Sequence, residues 1–207
     1  IKTLEIFTEW GNKLKIIEAY ILYIEIIFNE VNEIMWKFIK FIKFMIILGI
    51  DPGFAITGYG IIEKQGNKYK YIAHGAITTD AKLDFQERLK INHEELNKII
   101  KQYNPDLFGI EELFFAKNTK TAINVAQARG VIILTALQNK LKIYEYTPLQ
   151  IKQALTGYGR ADKNQIQQMV KTILCLNQIP KPDDAADALA IAITCGNSYK
   201  SLLNINK

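Results

Sequence analysis

The sequence contains little cysteine and little histidine, two of each in 207 residues. Two cysteines can form at most one disulfide bond, which excludes a disulfide-stabilised scaffold and favours a reduced, intracellular protein. The histidines and cysteines are scattered along the chain, without the spacing of a zinc site. Hydrophobic residues make up 49% of the chain and charged residues 23%, which is a globular balance and not that of a disordered chain.

The first 44 residues lack a long uncharged apolar run. A membrane-spanning helix needs about 20 apolar residues, and here Glu18 and Glu25 interrupt the apolar stretch. The basic start and small-residue cleavage site of a secretory signal are absent as well, so no membrane association is expected. Two interpretations of this segment remain. It is either an amphipathic helical arm or a product of translation from upstream of the true start, and Met45 just before a strand pattern favours the second.

Charge separates this segment from the rest of the chain. Residues 1–44 balance six lysines against six glutamates, so the whole net charge of +5 belongs to residues 45–207. We expect a domain at residues 45–198, followed by a tail at residues 199–207. A mildly basic domain permits a polyanionic partner such as nucleic acid.

Strand and helix patterns alternate from Met45 onward. The predicted strands are Met45–Ile50, 56–63, 69–79, Leu107–Phe115 and Lys142–Tyr146. The predicted helices cover residues 84–103, 119–139, 148–155, 162–176 and 183–196. An antiparallel meander followed by alternating strands and helices predicts an α/β fold with a mixed sheet covered by helices. Such sheets commonly carry their chemistry at strand ends.

Four acidic residues could meet at such an edge. Asp51 follows the first strand, and Glu111 lies on a later strand with its neighbour Glu112 pointing to the opposite face. Asp184 and Asp187 are spaced i,i+3, on one helical face. Each alone also fits a structural role, as a turn residue, a solvated sheet edge or a helix cap. Together they predict a carboxylate cluster that suits a hard divalent cation such as Mg²⁺.

Five sequence blocks in order resemble the RuvC family of Holliday junction resolvases. The blocks are Gly49–Gly53, Thr57–Gly60, Ile110–Asn118, Gln127–Gly130 and Asp184–Ala192. The resemblance runs from about Met45 to about residue 198 and leaves residues 1–44 outside the family pattern. It implies an RNase H-like fold with a mixed five-stranded sheet flanked by helices, in a homodimer. The implied activity is paired, symmetric nicking of four-way DNA junctions during recombination and repair.

The resemblance also implies roles for individual residues. The metal-binding catalytic carboxylates would be Asp51, Glu111, Asp184 and Asp187, and the adjacent acids Asp183 and Glu112 fall outside the motifs. The implied metal is Mg²⁺, with two ions per subunit and Mn²⁺ as a substitute. The implied partners are the four-way junction and the branch-migration complex RuvA/RuvB, in the cytoplasm.

DNA contacts follow from the same resemblance. Phe114 matches an aromatic residue that stacks on bases near the junction centre, although strand alternation places it on the face opposite Glu111 if the strand stays regular. Lys152 and Lys163 resemble basic residues near the scissile phosphates, and Lys117 would add to that surface.

The dimer interface and two rival functions stay open. The long helix carries an apolar stripe that could contact a second subunit or its own sheet: Ile123, Ala126, Val131, Leu134 and Leu137. The opening Gly49–Gly53 also resembles the phosphate loop of actin-like and sugar-kinase ATPases, although the domain is short for their two lobes. A third hypothesis is a junction-binding module without catalysis, against which the presence of all four acids argues.

Overall fold

A computed structural model of the chain describes residues 44–113 and 119–205, together with residues 28, 31 and 32. The chain divides into two units, residues 1–43 and residues 44–207, and the fold below is that of the second. In the described residues there is no helix with the length and apolar character needed to cross a membrane.

Five strands form one mixed sheet in the order β3-β2-β1-β4-β5. The strands are β1 (Met45–Asp51), β2 (Ile56–Gln65), β3 (Lys68–Thr78), β4 (Leu107–Glu111) and β5 (Lys142–Tyr146). The first three pair antiparallel, whereas β4 pairs parallel with both β1 and β5. The predicted mixed sheet is therefore confirmed.

One strand is shorter than predicted, because β4 ends at Glu111 and not at Phe115. Its neighbours end at the same level, β1 at Asp51 and β5 at Tyr146. The amide of Glu112 still donates to the carbonyl of Tyr146, at 2.8 Å, but Glu112 and Leu113, the last described residues of this segment, lie outside the strand. A ladder cannot continue without a partner.

Five helices cover the two faces of the sheet. They are α1 (Phe85–Tyr103), α2 (Thr119–Gln138), α3 (Pro148–Thr156), α4 (Lys163–Ile173) and α5 (Asp183–Ile205). Helices α1 and α2 pack on one face, around Leu48, Ile50, Phe108 and Ile110. Helix α5 packs on the other face with α3 and α4 outside it, around Ile47, Leu107 and Leu189.

Two helices end elsewhere than predicted. Helix α4 stops at Ile173, and Cys175 just beyond adopts a φ of 52°, in the left-handed region that ends helices. Helix α5 continues past the predicted residue 196, to Ile205. Within this extension the ring of Tyr199 packs edge-on against Tyr144 of β5, with 6.5 Å between ring centroids.

A row of glycines lets α5 lie against the sheet. Gly60, Gly49 and Gly109 are neighbours across β2, β1 and β4. A Cβ atom on Gly49 would clash with the carbonyl oxygen of Ala188, and one on Gly60 would lie 2.6 Å from the amide nitrogen of Leu189. The helix backbone therefore touches the strands directly, at positions where any side chain would push it away.

Candidate active site

Asp51 and Glu111 are the last residues of the parallel strands β1 and β4. The register pairs Ile50 with Ile110, so the two acids stand side by side where the strands end. Each lies two residues beyond a glycine of the row, so both side chains face α5. Both are half-buried.

Asp184 and Asp187 come from the start of α5. A Cβ atom on Gly58 would clash with the carbonyl oxygen of Asp184, and Gly58 is the β2 partner of Asp51. The first turns of α5 therefore lie over the end of β1. The structure brings all four predicted acids together, two from strand ends and two from one helix.

Burial and mutual repulsion raise the pKa values of Asp51, Glu111 and Asp187 in the cluster. Burial first, and then Glu111, Asp187 and Asp184, raise the pKa of Asp51 to about 7, against the opposing effect of Lys163. Burial and Asp187 raise the pKa of Glu111. Burial also raises the pKa of Asp187, although Lys163 lowers it. A cluster of this kind is stabilised by bound positive charge.

The chemistry of these donors fits a hard divalent cation, since all four are carboxylates. In the side-chain conformations of the described residues, however, no group of three or more His, Cys, Asp or Glu is arranged to hold a metal ion. Asp187 is paired with Lys163, with 3.2 Å from its Oδ2 to the lysine Nζ. Metal binding through that oxygen would require Lys163 to release it.

A pocket of about 200 Å³ opens beside the acids. Glu111 and Asp187 line it together with Lys152 of α3 and Lys163, the first residue of α4. Its remaining lining is apolar: Pro148, Ile151, Ile166, Ala190 and Ile191. Two of the predicted DNA-binding lysines thus adjoin the acidic cluster, in a place that suits a phosphate group.

Asp183 has a separate set of partners. Its carboxylate accepts from Lys181 Nζ at 2.8 Å and lies 3.4 Å from Lys163 Nζ. The two lysines hold the pKa of Asp183 at about 2. Asp183 is therefore ion-paired with two lysine side chains. Together with Asp187 it keeps the ammonium group of Lys163 over the start of α5.

Arg129 of α2 was not predicted to belong to the site. Its Nε donates to the backbone carbonyl oxygen of Glu111 at 3.1 Å, and its guanidinium also pairs with Glu145 of β5. The block Gln127–Gly130 marked this residue as part of a motif, but a single sequence does not disclose a side-chain contact to a distant carbonyl.

Two of the predicted DNA-binding residues, Phe114 and Lys117, lie at residues 114–118, outside the described part of the chain. Their placement stays a prediction.

A family model described as crossover junction endodeoxyribonuclease RuvC matches residues 47–195. The chain belongs to the RuvC family. This family consists of metal-dependent nucleases, and the match decides against the ATP-binding hypothesis.

Individual RuvC proteins match over nearly their whole length. RuvC of Halothermothrix orenii is 64% identical over 156 residues, which are 75% of this chain and 94% of that protein. RuvC of Caldicellulosiruptor saccharolyticus is 62% identical over 160 residues, 77% of this chain and 96% of that protein.

Solved structures agree with this membership. Thermus thermophilus RuvC is 32% identical and superposes with a TM-score of 0.71, covering 76% of this chain and 96% of its own. The same protein in complex with Holliday junction substrate gives a TM-score of 0.72 with the same identity and coverage. The yeast mitochondrial Holliday junction resolvase Ydc2, at 16% identity and a TM-score of 0.55, shares the fold. The predicted RNase H-like fold is confirmed.

Proposed function

We propose that this chain is a Holliday junction resolvase, which makes paired symmetric nicks in four-way DNA junctions by metal-dependent phosphodiester hydrolysis in recombination and repair. The observation that carries the proposal is the four-acid cluster beside a pocket with two lysines, in a chain whose residues 47–195 match the RuvC family. The junction-bound structure of the Thermus thermophilus relative supports the substrate. This activity would place the protein with the chromosome, in the cytoplasm.

The four acids would hold the metal, Mg²⁺ with two ions per subunit and Mn²⁺ as a substitute. Bound there, the ions supply the positive charge that activates the attacking water and stabilises the leaving 3′ oxygen. Asp51 resists ionisation, since burial and its acidic neighbours raise its pKa to about 7, and it would bind a metal ion only in the ionised form. Glu111, Asp184 and Asp187 are proposed as catalytic residues because they lie around Asp51, at the end of β4 and the start of α5.

Lys152 and Lys163 would bind the DNA backbone at the scissile phosphate. Both line the pocket with Glu111 and Asp187, so a phosphate between them lies beside the acids. Charge-assisted contacts to phosphate supply affinity and position the strand without reading sequence. Phe114 and Lys117 are proposed to extend this surface to the junction centre, by stacking and by charge.

The chain would act as a homodimer, because paired nicks need two equivalent sites on a nearly two-fold symmetric junction. One stripe of α2 supports this: Ile123, Leu134 and Leu137 are 58%, 54% and 56% exposed. Gly130 lies on the same stripe with open space where a Cβ atom would stand. The other two residues of the predicted stripe, Ala126 and Val131, are half-buried. The branch-migration complex RuvA/RuvB is proposed as a partner on family resemblance alone.

We also propose that residues 45–198 form the nuclease domain, with residues 1–44 as an extension and residues 199–207 as a tail. The match of the family to residues 47–195 supports these limits. Helix α5 crosses the second limit, since it ends at Ile205.

The test uses the full chain and a synthetic mobile four-way junction with labelled strands, with Mg²⁺ or with a chelator. We expect paired, symmetric nicks that require Mg²⁺ and vanish in Asp184→Asn. Glu94→Gln, an exposed glutamate of α1, serves as the matched control and should cut normally. A folded wild type that binds the junction in Mg²⁺ and never cuts it would overturn the proposal and favour a binding module without catalysis.

A further inference from the structure

The loop between α3 and α4, the helices that carry the two pocket lysines, presents an aromatic ring to solvent. Tyr158 is 48% exposed, and Leu149 of α3 is 54% exposed. Leu149 occupies the space where a Cβ atom of Gly159 would stand, so the leucine packs over the loop. Tyr158 and Leu149, which we call the loop platform, are two exposed side chains with large apolar parts, on a segment that the proposed chemistry does not use.

Hydrogen bonds fix both the backbone and the phenol hydroxyl of Tyr158. The Thr156 hydroxyl lies 2.8 Å from the carbonyl oxygens of Lys152 and Tyr158 and accepts from the Tyr158 amide at 3.4 Å. The phenol hydroxyl donates to Gln165 Oε1 at 3.1 Å. The same Oε1 accepts from the amide of Asp162 at 3.0 Å, in the capping box of α4. The half-exposed ring is therefore fixed at its hydroxyl and its backbone, so little conformational entropy is lost when a ligand binds.

The charge around the loop platform suits a polyanion. Lys152 lies one turn before Thr156, and Lys163 directly follows Asp162, so the two pocket lysines flank the loop on both sides. Arg160 is exposed within the loop, and among the described residues it has no acidic partner within ion-pair distance. An aromatic ring among three cations is typical of surfaces that bind single-stranded or unpaired nucleotides.

We propose that the loop platform binds a nucleotide next to the phosphate in the pocket, with the Tyr158 ring stacked on its base and Arg160 on the flanking backbone phosphate. This proposal rests on the proposed function, because the pocket must first take DNA. Bases at a branch point can leave their own stack, which makes one available to a fixed ring. Stacking strength differs between bases, so the contact also biases which junction position is cut.

The test measures binding of the full chain to the junction without metal, so that cleavage does not enter the result. The fluorescent base 2-aminopurine replaces one base at a time near the cleavage position. We expect wild type to change the fluorescence at one or two positions, Tyr158→Leu to lose that change, and Tyr158→Phe to keep it. The junction Kd of Tyr158→Leu should rise about 5-fold to 150-fold, the range that one base–aromatic stack supports.

Arg160→Gln provides an independent arm. It should lower the slope of log Kd against log salt by about 0.9 and leave the 2-aminopurine signal in place, because one phosphate contact is lost. Thermal unfolding of each variant checks the fold, and Tyr158→Phe, which keeps the ring, reports on the ring if the leucine variant is unstable.

Two results are distinguishable. If wild type cuts the junction and Tyr158→Leu matches it in Kd, fluorescence and cleavage positions, the loop platform does not bind DNA and only this inference fails. If wild type neither binds nor cuts the junction, the proposed function fails and the inference fails with it.

Discussion

The Nε atom of Arg129 donates a hydrogen bond to the backbone carbonyl oxygen of Glu111, at 3.1 Å. The same guanidinium pairs with Glu145 of β5, so α2 and β5 both restrain the last residue of β4. The side chain of Glu111 meanwhile faces α5. Arg129, which is not one of the four acids, thus fixes the backbone of Glu111, a proposed metal ligand.

Loss of Arg129 should therefore slow cleavage more than it weakens binding. We expect Arg129→Ala to reduce the single-turnover rate about 100-fold, the size of effect that a misplacement of about 1 Å causes, and Arg129→Lys to restore part of it. Glu145→Gln, which leaves the bond to Glu111 in place, is the control and should lose less. Equal losses in rate and in junction affinity would show a general structural defect instead.

Lys163 should compete with the metal for Asp187, since 3.2 Å separates its Nζ from Asp187 Oδ2. Lys163→Met is expected to lower the concentration of Mg²⁺ at half-maximal cleavage while it weakens junction binding. Lys152 lines the same pocket without an acidic partner among the described residues, so Lys152→Met should weaken binding and leave that concentration unchanged. Titrations of Mg²⁺ at saturating junction separate the two effects, and identical metal curves for both variants would contradict the competition.

Metal affinity should depend on pH through Asp51. Its pKa in the folded chain, about 7, is above the ordinary aspartate value of 3.8, so folding favours the neutral acid and the metal must displace a proton. Apparent metal affinity should then rise up to about tenfold per pH unit until about pH 7 and level off above it. The thermal shift caused by Mg²⁺, measured from pH 5.5 to 8, reports this.

The raised pKa of Asp51 also affects the stability of the metal-free protein. Below pH 3.8 Asp51 is neutral in both the folded and the unfolded chain, and between 3.8 and about 7 only the unfolded chain ionises freely. This residue therefore lowers the free energy of unfolding as pH rises to about 7. Asp51→Asn should remove that part of the pH dependence and should also abolish the thermal shift with Mg²⁺. A variant with the pH profile of wild type would refute this role of Asp51.

The contact between α5 and the sheet should not tolerate a side chain. Gly49→Ala would place a methyl group against the carbonyl oxygen of Ala188, and we expect it to lower the free energy of unfolding by about 3 kcal/mol or more. Gln102→Ala, at an exposed position of α1 away from this contact and from the proposed dimer stripe, is the control. It should change the free energy of unfolding by no more than about 0.5 kcal/mol. Urea unfolding of both variants measures the difference, and similar values would argue against the close contact.

The exposed stripe of α2 should hold two subunits together. Leu134→Glu and Leu137→Glu would put charge on side chains that are 54% and 56% exposed in the single chain. We expect the pair to halve the mass measured by light scattering and to suppress paired nicking. Gln102→Glu, an exposed residue of α1, should keep both. If the variant with both substitutions keeps the mass of the dimer, the interface lies elsewhere.

The sequence predicted the positions of the four acids because each depends on a short-range rule. Asp51 and Glu111 end strands that could be recognised as apolar runs, and Asp184 and Asp187 share a helix face by their spacing alone. The mixed sheet followed from the order of the same patterns. These features need no knowledge of which distant residues touch.

What the sequence could not predict depends on distant partners. The end of β4 is decided by where β1 and β5 stop, and the role of Arg129 is a contact from one helix to the carbonyl of another element. The fixed position of Tyr158 depends on Gln165, whose side chain caps α4. Lys163 resembled a DNA-binding residue, but its pairing with Asp187 appears only when both helices are in place.

The glycines beneath α5 also decide which parts of the molecule can change independently. Main-chain atoms set the separation between the helix and the strands at Gly49, Gly58 and Gly60, so the geometry of the acids does not depend on the size of the large side chains packed nearby. The loop after α3 is held separately, by hydrogen bonds of Thr156 in α3 and Gln165 in α4. Substitutions in that loop can therefore accumulate over generations while the spacing of the four acids stays constant.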